Sequence, residues 1–174
     1  MDSIMMLSLE RWVHFLAGIT WIGLLYFFNF VNAPAMAQAN ADKEGPGPAA
    51  IGKYIMPRAL LWFRWAAVVT WVSGALYIVS APHYSLHEVF TLAIGQGKLG
   101  VTTLGVGAWL GTIMLFNVWV LIWPNQKKVL GMVTATDAEK AKARRLAFLA
   151  SRANTALSIP MLLFMGAAFH NLPM

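Results

Sequence analysis

Long apolar runs broken by short polar stretches organise this chain. The first charge-free run spans residues 12–31, and no charge follows it until Asp42. A second covers about 59–81 and carries one charge, Arg64, near its start. A third covers 99–123 and a fourth about 153–170. A helix that crosses a bilayer needs about 20 mostly apolar residues, and each run has roughly that length. Buried strands are usually shorter than about ten residues, and a content of Leu, Met, Ala and Trp suits helices better. The pattern predicts an all-α integral membrane four-helix bundle forming one domain over residues 1–174. Pro160 inside the fourth run predicts a kink there.

The polar stretches predict their own local structure. The loop at about 32–58 contains Gly45-Pro46-Gly47-Pro48, a turn-rich sequence. The loop at about 124–152 contains Thr136-Asp137-Ala138-Glu139, a capping-box pattern. A helix is expected to start there and to run through the basic segment 140–152 into the fourth span. The loop at about 82–98 opens with Pro82, which suits a first helical turn. It predicts a short interfacial helix on which His83 and His87, spaced i,i+4, share one face.

Charge then sets the orientation. Lys43, Lys53, Arg58 and Arg64 accompany the first polar loop; Lys127, Lys128, Lys140, Lys142, Arg144, Arg145 and Arg152 accompany the last. The opposite side holds Arg11 and Lys98. The positive-inside rule therefore places both basic loops in the cytoplasm and both termini outside. The net charge of +6 is a topology signal, and the basic residues flank spans, so nucleic-acid binding is not expected. With 59% hydrophobic and 11% charged residues, a soluble globular domain is excluded. The N-terminal stretch carries Asp2 and Glu10 rather than a basic region, so no signal peptide is expected. A multi-pass protein of a bacterial inner membrane, surrounded by lipid, is the expected setting. The chain has no cysteine, which excludes disulfides, thiolate nucleophiles, iron–sulfur clusters and CxxCH haem attachment.

All four histidines fall on the outer side: His14 in the first span, His83 and His87 in the outer loop, and His170 at the end of the fourth span. A neutral imidazole is the usual non-covalent axial ligand of haem and also serves copper or zinc. His14 is followed by Gly18 and Trp21, placed near one helix face. A glycine at 18 would let a flat macrocycle lie against the backbone, or would let another helix approach closely. His83 and His87 are reserve ligands for copper or zinc, or plain solvated residues. Gly107 and Gly111 form a Gly-x-x-x-Gly packing pair, Arg64 is expected to snorkel, and Asn117, Asn154 and Ser158 are expected to bond between spans. Trp62, Trp119 and Trp123 are interface anchors. No phosphate loop, nucleophile triad or paired intramembrane carboxylates are present.

Several segments carry a family resemblance. Arg11-Trp12-Val13-His14 through Gly18-Ile19-Thr20-Trp21-Ile22-Gly23 resembles the first span of the bacterial membrane-bound urate hydroxylase family, whose membrane part is the urate oxidase N-terminal domain. Gly107-Ala108-Trp109-Leu110-Gly111-Thr112-Ile113-Met114, then Asn117-Val118 and Pro124-Asn125-Gln126-Lys127-Lys128, resembles another of its segments. Ser151-Arg152, Asn154, Leu157-Ser158-Ile159-Pro160-Met161-Leu162, Met165 and His170 resemble its end, and Arg58, Trp62-Phe63-Arg64-Trp65 and Thr70-Trp71-Val72-Ser73-Gly74 also match. His14 and His170 match family histidines, whereas relatives place a further His where this chain has Gly105. The resemblance implies a redox-linked membrane protein. Full-length relatives carry a C-terminal cytochrome c domain and are associated with urate oxidation; this chain reads as a short form without that domain.

The combined expectation is a b-type haem protein that passes electrons at the outer face. His14 and His170 would be its axial ligands, with Gly18 and Trp21 beside the cofactor. The expected partners are a soluble cytochrome c or a larger membrane redox complex, and an oligomer is open. The alternative is a cofactor-free accessory or scaffolding subunit of a respiratory or oxygenase complex.

Overall fold

The computed structural model describes residues 3–170, with side chains described through residue 168. The chain forms α1 (Ser3–Ala41), α2 (Ile51–Ser80), the short α3 (Leu86–Phe90), α4 (Leu99–Val129) and α5 (Asp137–His170), and no strand occurs among the described residues. Four of these helices are long and apolar enough to cross a membrane. The chain is a multi-pass membrane protein by that architecture.

The helices outrun the apolar runs. α1 has 39 residues, a rise of about 58 Å at 1.5 Å per residue, while a bilayer core is about 30 Å thick. Its ends therefore extend past the hydrocarbon. Their outward faces stay apolar: Ile19, Trp62 and Ile159 are 71%, 67% and 65% exposed, which suits lipid contact. The capping box at the start of α5 forms as expected. The Thr136 N–H donates to Glu139 Oε2 (2.8 Å) and the Glu139 N–H donates to Thr136 Oγ1 (3.3 Å). The helix then continues through Pro160 to residue 170.

The long helices form two antiparallel hairpins. α1 packs chiefly on α2, and α4 chiefly on α5. The hairpins meet tightly in the half near the two basic loops, where Leu25, Phe63, Met114 and Val118 are fully buried. Polar side chains bond there both between the hairpins and within one of them. Asn29 Nδ2 donates to Ser151 Oγ (2.8 Å), and Asn117 Nδ2 donates to Asn154 Oδ1 (2.8 Å), whose own Nδ2 reaches the Met114 carbonyl (2.9 Å). Ser158 spends its hydroxyl proton on the Thr155 carbonyl (2.7 Å), so Tyr26 is the donor in the 3.0 Å contact between them. The interhelical role expected for Asn117, Asn154 and Ser158 is therefore what they perform. Asn29 and Asn117 sit in π-helical segments, Phe27–Asn32 and Asn117–Ile122. The extra residue per turn re-aims side chains within an otherwise continuous helix. Arg64 lays its guanidinium over the Trp123 ring at 3.8 Å.

Two local expectations are corrected. The short helix α3 begins at Leu86, because Ser85 takes an extended conformation and its Oγ accepts the Glu88 N–H (3.1 Å) as an N-cap. Pro82 and His83 lie in the preceding turn, so His83 and His87 do not share a helix face. The Gly107/Gly111 pair also splits. A Cβ on Gly107 would meet Met165 of α5 at 3.1 Å, whereas Gly111 has nothing within 4 Å. Gly107 is a packing glycine, and Gly111 lines an internal space.

Candidate functional site

In the half near the termini the two hairpins stand apart and enclose a cavity of about 700 Å³. That volume is typical of a small-molecule or cofactor site. α1 contributes Arg11, His14 and Trp21; α2 contributes Thr70, Trp71, Gly74 and Tyr77. Leu104 and Gly111 of α4 and Met161 and Met165 of α5 form the facing wall. The Trp71 indole N–H donates to Thr112 Oγ1 (2.9 Å), which ties α2 to α4 beside it.

The polar edge of the cavity is built from rungs between α1 and α2. Ser80 Oγ donates to Glu10 Oε1 at 3.0 Å. One step deeper, Arg11 Nη2 donates to the Tyr77 hydroxyl, and the guanidinium lies 5.0 Å from the Tyr77 ring centre. Deeper still, His14 Nδ1 lies 2.8 Å from the Thr70 carbonyl oxygen. Arg11 and His14 are three residues apart in a helix, so one turn brings both to the same wall.

The third rung decides the chemistry of His14. A carbonyl oxygen can only accept, so Nδ1 carries the hydrogen, and in the neutral ring the lone pair sits on Nε2. No partner takes Nε2 among the described residues. An imidazole whose Nδ1–H is anchored to a backbone carbonyl is the usual second-shell arrangement of a metal-binding histidine. Gly74 makes the arrangement fit: a Cβ there would lie 2.9 Å from both His14 Cε1 and Nδ1. Any larger residue at 74 would push the ring off Thr70.

Trp21 lies deeper on the same wall. It is 2% exposed, and its Nε1 is buried without a hydrogen-bond partner among the described residues. Such an orphaned donor is costly unless something in the cavity accepts from it.

The loop between α2 and α4 closes this end of the cavity. Phe90 lines the cavity, its carbonyl accepts the Trp109 indole N–H (3.0 Å), and Thr102 Oγ1 donates to the Leu92 carbonyl (2.7 Å). Leu92 and Ala93 hold positive φ angles of 58° and 43°, which the Ala93 N–H bond to the Glu88 carbonyl (2.8 Å) helps maintain. A Cβ on Gly105 would collide with the Val89 carbonyl oxygen, so this cap leaves no room for a side chain at 105. Glu88 pairs with Lys98, which holds its carboxyl below the usual carboxylate range. Burial pushes the Tyr84 phenol up, with Tyr77 adding to the effect and Arg11 opposing it.

Among the candidates read from the sequence, His14 and Trp21 come together on the cavity wall. Gly18 does not reach it. A Cβ there would meet Thr70 Cγ2 at an ordinary 3.8 Å, so this glycine faces α2, and Gly74 supplies the open space instead. His170 ends α5 one turn beyond the cavity residue Gly166, but its side chain lies outside the described residues. His83 and His87 are exposed and apart from the cavity, and no cluster of three or more His, Asp or Glu residues occurs among the described residues. From the sequence, Gly74 stands out only as part of a motif, and Arg11 only as part of a motif and as one of two basic residues opposite the basic loops. Arg11 was findable from its three-residue spacing to His14; Gly74 was not, because its partner is on another helix.

No curated protein and no solved structure matches this chain. A family model does, over residues 2–99 and 100–172, and the chain belongs to the family it describes, urate oxidase N-terminal.

Proposed function

We propose that the protein binds b-type haem in this cavity and passes electrons on the side of the membrane that holds its termini, as part of the redox chemistry to which its family name points. The observation that carries the reading is His14. Its Nδ1–H is anchored to Thr70, its Nε2 lone pair is available at the cavity wall, and Gly74 clears space beside the ring. The apolar volume of about 700 Å³ suits a flat macrocycle.

When bound, haem would supply reversible one-electron chemistry. His14 is the proposed ligand on α1. On α5, His170 is the proposed second ligand, with the thioethers of Met161 and Met165 on the same wall. Thr70 keeps the His14 tautomer, and the apolar walls exclude water. The Trp21 N–H offers a hydrogen bond to the occupant or to a water beside it. A soluble cytochrome c or a larger membrane redox complex is the proposed electron partner, and the bacterial inner membrane the proposed location.

The test is a reduced-minus-oxidised visible spectrum with a pyridine haemochrome assay on detergent-purified protein. About one b-type haem per chain, lost in a folded His14→Ala variant, is expected. Colourless protein from a haem-replete host overturns the reading and favours a cofactor-free scaffold. Retained haem with unchanged absorption in His14→Ala removes His14 as the ligand.

A further inference from the structure

We infer that a groove between α1 and α2, beside the first basic loop, holds an anionic phospholipid, with its phosphate on Arg58 and one acyl chain along the apolar floor. The groove has a volume of about 560 Å³ and shares no lining residue with the central cavity, so the inference stands apart from the haem reading. A phospholipid carries a charged head on apolar chains. A site that selects one by its head must be apolar along its length and cationic at the depth of the headgroups.

The floor is apolar: α1 supplies Ile19, Gly23 and Leu24, and α2 supplies Ala59 and Trp62. Gly23 cuts a notch in it, since a Cβ there would find nothing within 4 Å. Ile19 and Trp62 are exposed, so the groove opens toward lipid rather than into the bundle. Thr20 donates its hydroxyl to the Leu16 carbonyl (3.0 Å) and offers the groove no proton. The cationic end is Arg58, which stands where the apolar run of α2 begins at residue 59. Its Nη1 donates to the Tyr54 carbonyl (2.6 Å), about one turn back, which fixes the guanidinium beside the groove. The rest of its fork has no acidic partner among the described residues. Lys53, 5.1 Å from the Tyr54 ring centre, adds a second positive charge at this end. Arg64 makes the contrast, because its guanidinium is already laid over Trp123. No Asp or Glu lines the groove among the described residues. Two cations without a facing carboxylate favour a net negative head over a zwitterionic one, and the planar fork suits its phosphate.

The test mixes the purified full chain, in detergent, with dioleoyl phosphatidylglycerol or dioleoyl phosphatidylcholine and counts bound lipid by native mass spectrometry. The two probes share their chains and differ in head charge. The wild type is expected to prefer phosphatidylglycerol by about ten-fold, the attraction of one to two basic residues for an anionic head. Arg58→Gln should cut that preference about five-fold, and Arg58→Lys should restore part of it. Arg152→Gln, which removes a charge away from the groove, should leave it unchanged. Gly23→Leu fills the notch, where there is room for the new side chain, and should lose the bound lipid. Glycerol phosphate, a head without chains, should not compete at equal concentration.

Equal wild-type binding of the two lipids overturns the site. So does a preference that survives Arg58→Gln, or one that Arg152→Gln lowers as much, since that marks net charge rather than this groove. Competition by glycerol phosphate would make it a free-phosphate site. Lipid-free protein with the mass of a dimer, turned monomeric by Gly23→Leu, would show that a second copy covers the groove and also overturns the inference. If Arg58→Gln does not fold, the wild-type comparison and Gly23→Leu still decide the question. None of these outcomes bears on haem, which is read from the visible spectrum.

Discussion

The two halves of this bundle treat buried polar groups in opposite ways. Near the basic loops, Asn29, Asn117, Asn154, Ser151, Ser158 and Tyr26 bond to one another across helices. Asn154 and Ser158 are fully buried, and the hairpins are sealed around them. Near the termini, the rungs from Glu10, Arg11 and His14 bond within one hairpin, between α1 and α2, and apart from the Trp71–Thr112 bond the space toward α4 and α5 is left open. In the sealed half, Asn29–Ser151 and Tyr26–Ser158 join the hairpins and the Asn117–Asn154 pair braces one of them, whereas the His14 bond to Thr70 leaves its ring beside the gap. The same residue chemistry therefore yields rigidity in one half and a presented imidazole in the other.

The sharpest way to break this comparison is His14→Ala. It removes the presented group without touching the sealed half, so bound haem should vanish while thermal stability of the colourless protein stays close to wild type. Visible spectra and a melting curve on one sample check both statements. Gly74→Ala comes next. Its new Cβ would fall 2.9 Å from the His14 ring, so the ring must leave Thr70, and haem occupancy should fall about tenfold or more. Full occupancy in that variant would show that the Thr70 anchor does not matter.

Asn154→Leu sharpens the other side. It removes two buried hydrogen bonds at roughly constant volume and should destabilise the protein by about 1–3 kcal/mol, with the lower end favoured because bonds between membrane helices measure near 0.6 kcal/mol on average. Haem stoichiometry should be retained; its loss would mean that the halves are coupled. The smallest effect is expected at the cap formed by α3 and the loop around it. Glu88 is partly exposed, and its carboxyl is held below the usual range by Lys98. A depressed carboxylate contributes stability at pH values above its unfolded-state pKa and loses it as pH falls through the folded value. Amide exchange over α3 should therefore quicken only below the ordinary carboxylate range, and Glu88→Gln should remove that acid sensitivity with little change at neutral pH.

Local patterning alone determined much of this. Four helices, their approximate cores, the capping box at Thr136 and Glu139, and the candidacy of His14 and Trp21 all follow from periodicity and residue chemistry within a single segment. The interhelical role of Asn117, Asn154 and Ser158 follows for the same reason, since a bilayer offers them no other partner. The rest depended on which helices meet and at what distance. Gly18 and Gly74 are indistinguishable as glycines in apolar helices; only the packing of α1 on α2 gives Gly74 the imidazole and Gly18 the methyl of Thr70. Gly107 and Gly111 look like one motif, yet the divergence of the hairpins puts one against Met165 and the other on the cavity wall. The tautomer of His14 was set by a carbonyl 56 residues away. A sequence states what a side chain can do; the distances between helices, fixed by the summed packing of whole faces, select which of those things it does.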